Sequence, residues 1–521
     1  MSKRIQVTIT LGDDVEAALK KECPQMVDFR VISQALDARG AQRGSTPRWH
    51  YTCEVIVAGE KFAAFTQTFP HRGPLKQKPI IIGAGPAGLF CALRLAEYGV
   101  PCILFERGDR AHARMKHIAR FWRYGEFDPD NNVCYGEGGA GLFSDGKLIT
   151  RIKSPHVDYV MQRFVDFGAP PETAYISNPH LGSNKIRALI SSMTDFLRSK
   201  GCEIHYNARV DELLFDPQQK EKIVGVKLHD GKIIDGENVV LATGHSAHEI
   251  YDFCLKNNIK MKPKDFAVGV RIEHPRRLMD RLQHGEWCTN PELGSARYRL
   301  SWENPESHKG TYSFCMCPGG YVLSSGTDAD GIVVNGMSNY ARNSPWSNSA
   351  LVVSVKSGED FTIENALSGL NFQRSIETRA YQHSVEFASG REVPSQSLFD
   401  FLDGSLTKKE NMPKSSCPSG LVSADINSLL PSFVGTHLKR ALREFDRMIK
   451  GFVTKEALLL APETRTSAPV TIERDRETLM SVSHFGLYPC GEGAGYAGGI
   501  TSAAVDGVKV AESILHLDQI V

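Results

Sequence analysis

The alternation of hydrophobic and polar residues changes along the chain, and the change divides it into parts. Residues 3–10 alternate with the two-residue period of a strand, residues 13–22 follow as a helix-like stretch, and residues 51–58 alternate again. The polar stretch 71–79 contains proline and glycine, which interrupt regular structure. This pattern predicts a small N-terminal α+β domain over residues 1–75.

After Pro79 the pattern becomes that of a parallel α/β unit. A short apolar strand, a glycine turn, an apolar helix and a second strand at 101–106 follow in the order of a βαβ unit. A helix over residues 185–200 precedes a strand-like run, a hairpin near residue 230 and a further buried strand. We expect a doubly wound, Rossmann-like sheet over residues 76–244.

The rest of the chain predicts that this α/β domain is discontinuous. Residues 245–480 mix helix and strand signals, which is typical of an inserted α+β substrate or cap domain. Residues 481–521 return to a buried strand, a glycine-rich turn and a helix. The predicted fold class is therefore α/β, with a discontinuous cofactor domain, an inserted domain and a small N-terminal domain.

Composition excludes several classes of protein. The 521 residues are 41% hydrophobic and 23% charged, which is ordinary for a globular protein and unlike a disordered or fibrous one. A net charge of +1 argues against a chain built as a whole around nucleic acid or an anionic membrane. The 12 cysteines are scattered without a zinc-type pairing, and neither a secretory signal nor a long apolar run is visible. We expect a cytoplasmic protein without a metal site or a membrane span.

The strongest motif is a glycine-rich turn between the first apolar strand and its helix. Gly83, Gly85 and Gly88 form G-x-G-x-x-G, in which the glycines permit a tight turn, a close approach of backbone to pyrophosphate, and helix–strand packing. Glu106 ends the next strand, 23 residues after Gly83, where an acid would accept from the ribose hydroxyls of a dinucleotide. The motif predicts dinucleotide binding, with FAD and NAD both open at this point.

A second glycine-rich helix start lies near the C-terminal end. A strand is followed by Gly491, Glu492, the pair 498–499 and a helix of small residues. Such a helix N-terminus can receive another anionic or electron-rich part of the same ligand, which favours FAD over NAD. The loop 136–147 is also dense in glycine and lets backbone lie against a flat ring or a phosphate.

Three segments, GAGPAG, VVLATGHSA and PCGEGAGYAGGI, resemble the FAD-contacting segments of glutathione-reductase-type flavoproteins. The runs FWRYGEFDPDNNVCYGEGGAGLFSDGKL, SFCMCPGGYV and APETRTSAPV resemble the family of uncharacterised FAD-dependent, or NAD(FAD)-utilizing, dehydrogenases over most of the chain. The resemblance implies FAD as cofactor. It places FAD contacts at Gly83, Gly85, Pro86, Ala87, Gly88, Glu106, Arg107, Gly138, Gly139, Gly141, Ser144, Asp145, Lys147, Val210, Thr243, Gly244, Gly491, Glu492, Gly499 and Ile500.

Four side chains are weak candidates for catalysis, because flavin itself carries electron transfer and needs no obligatory triad. His245 can exchange protons near neutral pH. Arg465 can bind an anionic substrate or an internal carboxylate. Cys315 and Cys317 are either a redox thiol pair or two small buried residues of one strand. A basic run from Arg110 to Arg123 has mostly helical spacing, and we expect a solvated face, with ligand or partner binding as the alternative.

The sequence predicts an FAD-dependent oxidoreductase that transfers hydride or electrons to or from a small-molecule substrate. NADH or NADPH stays open as a transient electron donor, although no second G-x-G-x-x-G follows a strand. Two alternatives stay open. One is an RNA-modifying flavoprotein that holds RNA through Arg39, Arg43 and Arg48, and the other is a flavin-responsive interaction protein without turnover.

Overall fold

The computed structural model describes residues 2–62 and 69–516. The N-terminal domain is an antiparallel sheet in the order β1-β3-β2 with one helix packed on it. Asp14 caps the helix by accepting from the backbone N–H of Glu16, and Leu19 is fully buried against the sheet. These elements are β1 (Lys3–Thr10), α1 (Val15–Glu22), β2 (Met26–Asp37) and β3 (Arg48–Val57).

The next segment confirms the α/β Rossmann-like fold. The first strand consists of three buried isoleucines, as expected of a strand covered on both faces in a parallel sheet. The following helix begins with Pro86, whose missing N–H costs nothing at the first helical position. The elements in chain order are β4 (Ile80–Ile82), α2 (Pro86–Glu97), β5 (Ile103–Phe105), α3 (Ala111–Tyr124), α4 (His156–Asp166), α5 (Gly182–Ser199) and β6 (Glu203–His205).

The strand-like run after α5 is two strands, not one, because the chain turns at Asn207, whose φ is 51°. The first, β6, joins the parallel sheet, and the second starts a separate antiparallel sheet with the predicted hairpin. These elements are β7 (Val210–Phe215), β8 (Ile223–Leu228), β9 (Ile233–Asp235) and β10 (Val239–Leu241).

The middle of the chain builds a larger, mostly antiparallel sheet in the order β13-β14-β17-β12-β20-β18-β19. Its helices pack around one apolar core that includes Phe445 and Phe452. The elements are α6 (His248–Lys256), β11 (Met261–Pro263), β12 (Phe266–Pro275), α7 (Arg276–His284), β13 (Ser301–Glu303), β14 (Gly310–Cys317), β15 (Tyr321–Ser324), β16 (Val334–Met337), β17 (Trp346–Val355), α8 (Ser368–Phe387), β18 (Val393–Ser397), α9 (Leu398–Asp403), β19 (Leu421–Ser423), α10 (Ile426–Leu429), α11 (Ser432–Met448), β20 (Leu458–Glu463) and β21 (Val470–Ile472).

The chain then returns to the first sheet through β22 (Leu487–Pro489) and α12 (Ile500–Ile514). The parallel sheet has the order β22-β10-β4-β5-β6, so its edge strand comes from late in the sequence. Helix α12 packs directly on α2: a Cβ at Gly507 would lie 2.0 Å from the carbonyl oxygen of Ala87. Only glycine permits this approach of the two helices.

One basic side chain contradicts the predicted solvated face of α3. Arg114 is fully buried, and its guanidinium donates to backbone carbonyl oxygens of the glycine-rich loop. The helical period correctly predicted α3 itself, but it does not show that a loop distant in sequence covers one of its arginines. In the described part of the chain, no helix is long and apolar enough to cross a membrane.

The core of the large sheet contains an ion pair between neighbouring strands. Arg271 on β12 is fully buried and donates to both carboxylate oxygens of Glu463 on β20, at 2.8 and 3.0 Å. The same guanidinium donates to Asn348 and Asn335, at 2.7 and 3.2 Å. Glu463, Asn348 and Asn335 lie on β20, β17 and β16. The Arg271 side chain therefore links β12 to both of its neighbours in the sheet and to β16.

We expect Arg271→Met to lower the free energy of unfolding by about 3–5 kcal/mol, because it leaves the Glu463 carboxylate buried without its cation. Urea denaturation followed by tryptophan fluorescence measures this loss. The exposed Arg443 on α11 offers a matched control, and Arg443→Met should stay within about 0.5 kcal/mol of the parent. Adding Glu463→Leu should restore much of the lost stability, and a single Arg271 variant as stable as the parent would contradict this account.

Candidate active site

A cavity of about 1590 Å³ lies where the three parts of the chain meet. It exceeds the roughly 300–1,000 Å³ typical of a small-molecule pocket, so it has room for more than one molecule. Its walls come from the first turn of α2, the loop 134–152, the segment after β10, the large sheet, and the glycine-rich start of α12. Strands β2 and β3 of the N-terminal domain also contribute.

Backbone conformation and close packing require glycine at two positions of the G-x-G-x-x-G turn, and the third glycine leaves open space in the cavity. Gly83 has a φ of 104°, which favours glycine, and a Cβ at Gly88 would lie 2.0 Å from the Gly83 carbonyl oxygen. A Cβ at Gly85 would meet no atom within 4 Å. Gly85 therefore leaves open space in the cavity wall at the N-terminus of α2, where an anionic group is favoured.

Two further turns leave similar space in the same wall. A Cβ at Gly244, after β10, or at Gly499, before α12, would meet no atom within 4 Å. Both residues line the cavity with Gly85. Segments from three distant parts of the sequence thus form one cradle whose missing side chains leave room for a ligand.

Glu106 is buried and serves the loops around the cradle. Its carboxylate accepts from the backbone N–H groups of Ala84, Gly108 and Gly136, at 2.8, 3.0 and 2.9 Å. It also lines the cavity. Its neighbour Arg107 pairs with other acidic side chains and stacks over Tyr135, with 4.3 Å from the guanidinium carbon to the ring centre.

The glycine-rich loop 132–139 is held by Arg114. The guanidinium donates to carbonyl oxygens of Asn132, Val133, Gly136, Glu137 and Gly139 at 2.7–3.2 Å. Burial lowers the pKa of Arg114 to about 10, so it stays protonated at neutral pH. Arg114 belongs to the basic run from Arg110 to Arg123, but the sequence did not indicate that it holds this loop.

Asp145 and Lys147 follow this loop in the chain and form a charge cluster in the cavity wall. The Asp145 carboxylate accepts from Ser338 and from Arg342, whose Nε lies 3.1 Å away, and lies 3.2 Å from Lys147 Nζ. Burial opposes its ionisation, but Lys147 and Arg342 overcome this and lower the Asp145 pKa to about 2. Lys147 also donates to the Met316 carbonyl oxygen. The cluster keeps its charges at neutral pH.

His245 and Glu492 lie beside each other in the cavity wall, with 3.5 Å between His245 Nδ1 and Glu492 Oε1. Burial, with Arg465 nearby, lowers the pKa of His245 to about 3, so the imidazole is neutral. Burial raises the pKa of Glu492 to about 7, although Lys264 opposes the shift. Of the two, Glu492 is the group that exchanges a proton near neutral pH.

Cys315 and Cys317 both lie on β14 but differ in burial, so the interpretation as two small buried residues fits only Cys317. The pairing of β14 with β17 is interrupted between Phe314 and Cys317, and Cys315 has a φ of 43°. Cys315 is half-buried and lines the cavity, whereas Cys317 is fully buried and does not. The Cys317 thiol and Lys147 lower the pKa of Cys315, so a thiolate is favoured there.

Arg465 binds internal carboxylates, one of the two predicted roles. Its NH2 group lies 2.7 Å from Glu377 Oε2 and 2.9 Å from Asp328 Oδ2. The side chain is nearly buried and reaches the cavity wall. With its positive charge already paired, Arg465 positions this part of the wall.

The structure brings most of the sequence-predicted residues together around the cavity. The candidates in the wall are Gly83, Gly85, Pro86, Ala87, Glu106, Arg107, Gly139, Gly141, Ser144, Asp145, Lys147, Val210, Thr243, Gly244, His245, Cys315, Arg465, Glu492, Gly499 and Ile500. Gly88, Gly138, Gly491 and Cys317 lie outside it. Among the described residues, no cluster of His, Cys, Asp or Glu is placed to hold a metal ion.

The Rossmann-like sheet and its glycine cradle define a dinucleotide-cofactor protein, and comparison with known proteins identifies the class. Residues 265–466 match the family described as FAD-dependent protein, C-terminal domain-like, and residues 81–136 match an NAD(P)-binding Rossmann-like domain. A Clostridium beijerinckii protein described as uncharacterized is 40% identical over 85% of this chain and 81% of its own length. The chain belongs to this family of FAD-dependent oxidoreductases.

More distant relatives match in part. FixC of Escherichia coli is 29% identical over 39% of this chain and 45% of its own length. The crystal structure of CtdE in complex with FAD covers 85% of this chain and 89% of CtdE, with 11% identity and a TM-score of 0.31. The glycine cradle supplies the space and the helix N-terminus that FAD requires, so the residues present fit the cofactor.

We expect Gly85→Ala to lower FAD retention at least about tenfold, equivalent to about 1.4 kcal/mol, because its methyl group enters the space left for the cofactor. Absorbance of the purified protein measures the FAD content, and the melting temperature of the FAD-free protein should not change, since Gly85 has an ordinary φ of −77°. Gly88→Ala is the matched contrast and should lower stability. Unchanged FAD content in Gly85→Ala would place the cofactor elsewhere.

Glu492 makes stability depend on pH in a defined direction. Its pKa rises from an ordinary 4.5 to about 7 on folding, so the folded chain binds more protons between these values, and the free energy of unfolding falls as pH rises through them. In the FAD-free protein, Glu492→Gln should be stabilising relative to the parent by about 1–3 kcal/mol more above pH 7 than below pH 4.5. Urea denaturation checks this, with the exposed Glu386→Gln as control, and parallel pH profiles would refute it.

Proposed function

We propose that this FAD-dependent oxidoreductase is a dehydrogenase that exchanges hydride or electrons between FAD and a small organic substrate. The observation that carries the proposal is the continuity of one large cavity. The glycine cradle occupies one side of it, and apolar and aromatic side chains line another. These include Leu36, Trp49, Ile176, Tyr312 and Phe314.

The cradle residues would hold FAD through backbone and helix-end interactions. The turn at Gly85 and the N-terminus of α2 would receive the pyrophosphate, and Glu106 would accept from a ribose hydroxyl. The start of α12 at Gly499 would lie against another part of the cofactor. When bound, FAD supplies the capacity to accept and release hydride or electrons.

The side chains of the chain itself supply proton exchange and orientation. Glu492 holds a proton near neutral pH, and the neutral His245 beside it can accept a hydrogen bond or donate one. Lys147 presents a fixed positive charge, since Asp145 and the Met316 carbonyl oxygen hold its ammonium group.

NADH or NADPH is proposed as a transient donor that would bind against the flavin without a Rossmann domain of its own. The RNA-modifying alternative gains no support from the site. Arg39 pairs at the surface with Asp37, with 2.8 Å between NH2 and Oδ2. Arg43 and Arg48 lie on the exposed surface of the N-terminal domain. The flavin-responsive alternative makes a distinct prediction, since it requires bound flavin without turnover.

We expect protein purified without denaturation to retain FAD, and anaerobic addition of NADH, NADPH or an oxidisable organic substrate to bleach the visible flavin band. Anaerobic absorbance titration measures both. A protein that never retains flavin in excess FAD would contradict cofactor binding. A retained flavin that neither nicotinamides nor a panel of organic substrates can reduce would favour the flavin-responsive alternative.

A further inference from the structure

One segment of the cavity wall carries positive charge for which the described residues supply no ion pair. Arg297 and Arg299 lie in an extended segment before β13, where their exposure alternates with the buried Tyr298 and Leu300. The two arginines therefore share one face, and both line the cavity.

Arg297 has no acidic partner of its own among the described residues. Its NH1 group donates at 3.5 Å to the Asn178 carbonyl oxygen, and the nearest carboxylate that influences it is Asp145. Asp145 already holds Arg342 and Lys147. Two cations are thus already bonded to Asp145, and Arg297 is left without an ion pair among the described residues.

The other charged groups of the wall do not balance this excess. Glu106 accepts from backbone N–H groups, and Glu249 and Glu463 pair with Arg107 and Arg271. Glu492 lies 3.5 Å from His245. Glu292 accepts from the Trp49 indole at 3.1 Å. On the basic side, Arg151 and Arg299 are wall residues for which the described contacts include no ion pair.

Unpaired guanidinium groups in a confined site match the planar, bidentate geometry of carboxylate and phosphate oxygens. The apolar and aromatic side chains beside them match a hydrophobic body. The pyrophosphate of the cofactor is assigned to the start of α2, a different segment of the wall. The charge of the Arg297 region is therefore available to a second ligand.

We propose that Arg297 and Arg299, with Lys147, bind an oxyanion group, carboxylate or phosphate, of an organic substrate whose apolar body contacts the aromatic wall. The proposal rests on the proposed function, because it names the substrate class of the same cavity. Arg297 and Arg299 are specificity-determining residues in this arrangement. They orient the substrate through its anionic group.

Isothermal titration calorimetry of the full-length FAD-loaded protein with benzoate and with phenyl phosphate tests this, with benzamide as the uncharged counterpart. At least one anion should bind at millimolar concentrations and benzamide should bind more weakly, and the stronger of the two anions identifies the carboxylate or the phosphate. Arg297→Gln and Arg299→Gln should each raise the Kd of that anion about tenfold, the loss expected for a hydrogen bond to a charged group. Arg297→Lys should retain only part of the affinity, because its ammonium group keeps the positive charge but lacks the bidentate geometry of guanidinium.

The exposed Arg443→Gln is the matched control and should bind the anion as the parent does. FAD content and melting temperature are measured for every variant and should not change. Absence of anion binding, equal affinity for benzamide, or unchanged affinity in both Gln variants would overturn the proposal. Loss of FAD from Arg297→Gln would do so too, by assigning that arginine to the cofactor. Calorimetry detects the anion with or without flavin, so a parent protein lacking FAD would contradict the proposed function separately.

Discussion

The cavity depends on a single guanidinium. Arg114 lies inside the protein with no ion pair to an acidic side chain in the described part of the chain, and five carbonyl oxygens of a glycine-rich loop accept from it. Glycine-rich backbone has little intrinsic preference for one conformation, and ordering it costs more entropy than ordering other residues. Hydrogen bonds to a charged donor are stronger than neutral ones, and here they offset that cost. Asp145 and Lys147 follow this loop in the chain and lie in the cavity wall.

The cavity wall combines ion-paired side chains with glycines at which a Cβ would meet open space. The ion pair of Arg271 with Glu463 joins two strands of the large sheet, and the ion pair of Asp145 with Arg342 joins the segment before α4 to the segment before β17. The glycine positions leave open space in the same cavity wall.

The sequence predicted the features that follow from local physical rules. The turn around Gly85 was visible because a strand, a glycine spacing and a helix occur together, and Glu106 followed from its distance along the chain. The burial of Arg114 could not be predicted, since it depends on a loop packing over a helix that otherwise has ordinary amphipathic spacing. The interrupted strand at Cys315 and the arginine pair at 297–299 likewise depend on contacts between distant segments.

The order of the strands has a consequence for biosynthesis. The parallel sheet places β22 beside β10, and the glycines before α12 complete the cradle that begins at Gly85, more than 400 residues earlier in the chain. The N-terminal domain has its own small core and can form during translation. The cofactor cradle cannot, because a ribosome must first produce the segment through α12. Flavin binding therefore follows synthesis of the segment through α12. Until β22 is made, the β10 edge of the parallel sheet has no partner strand.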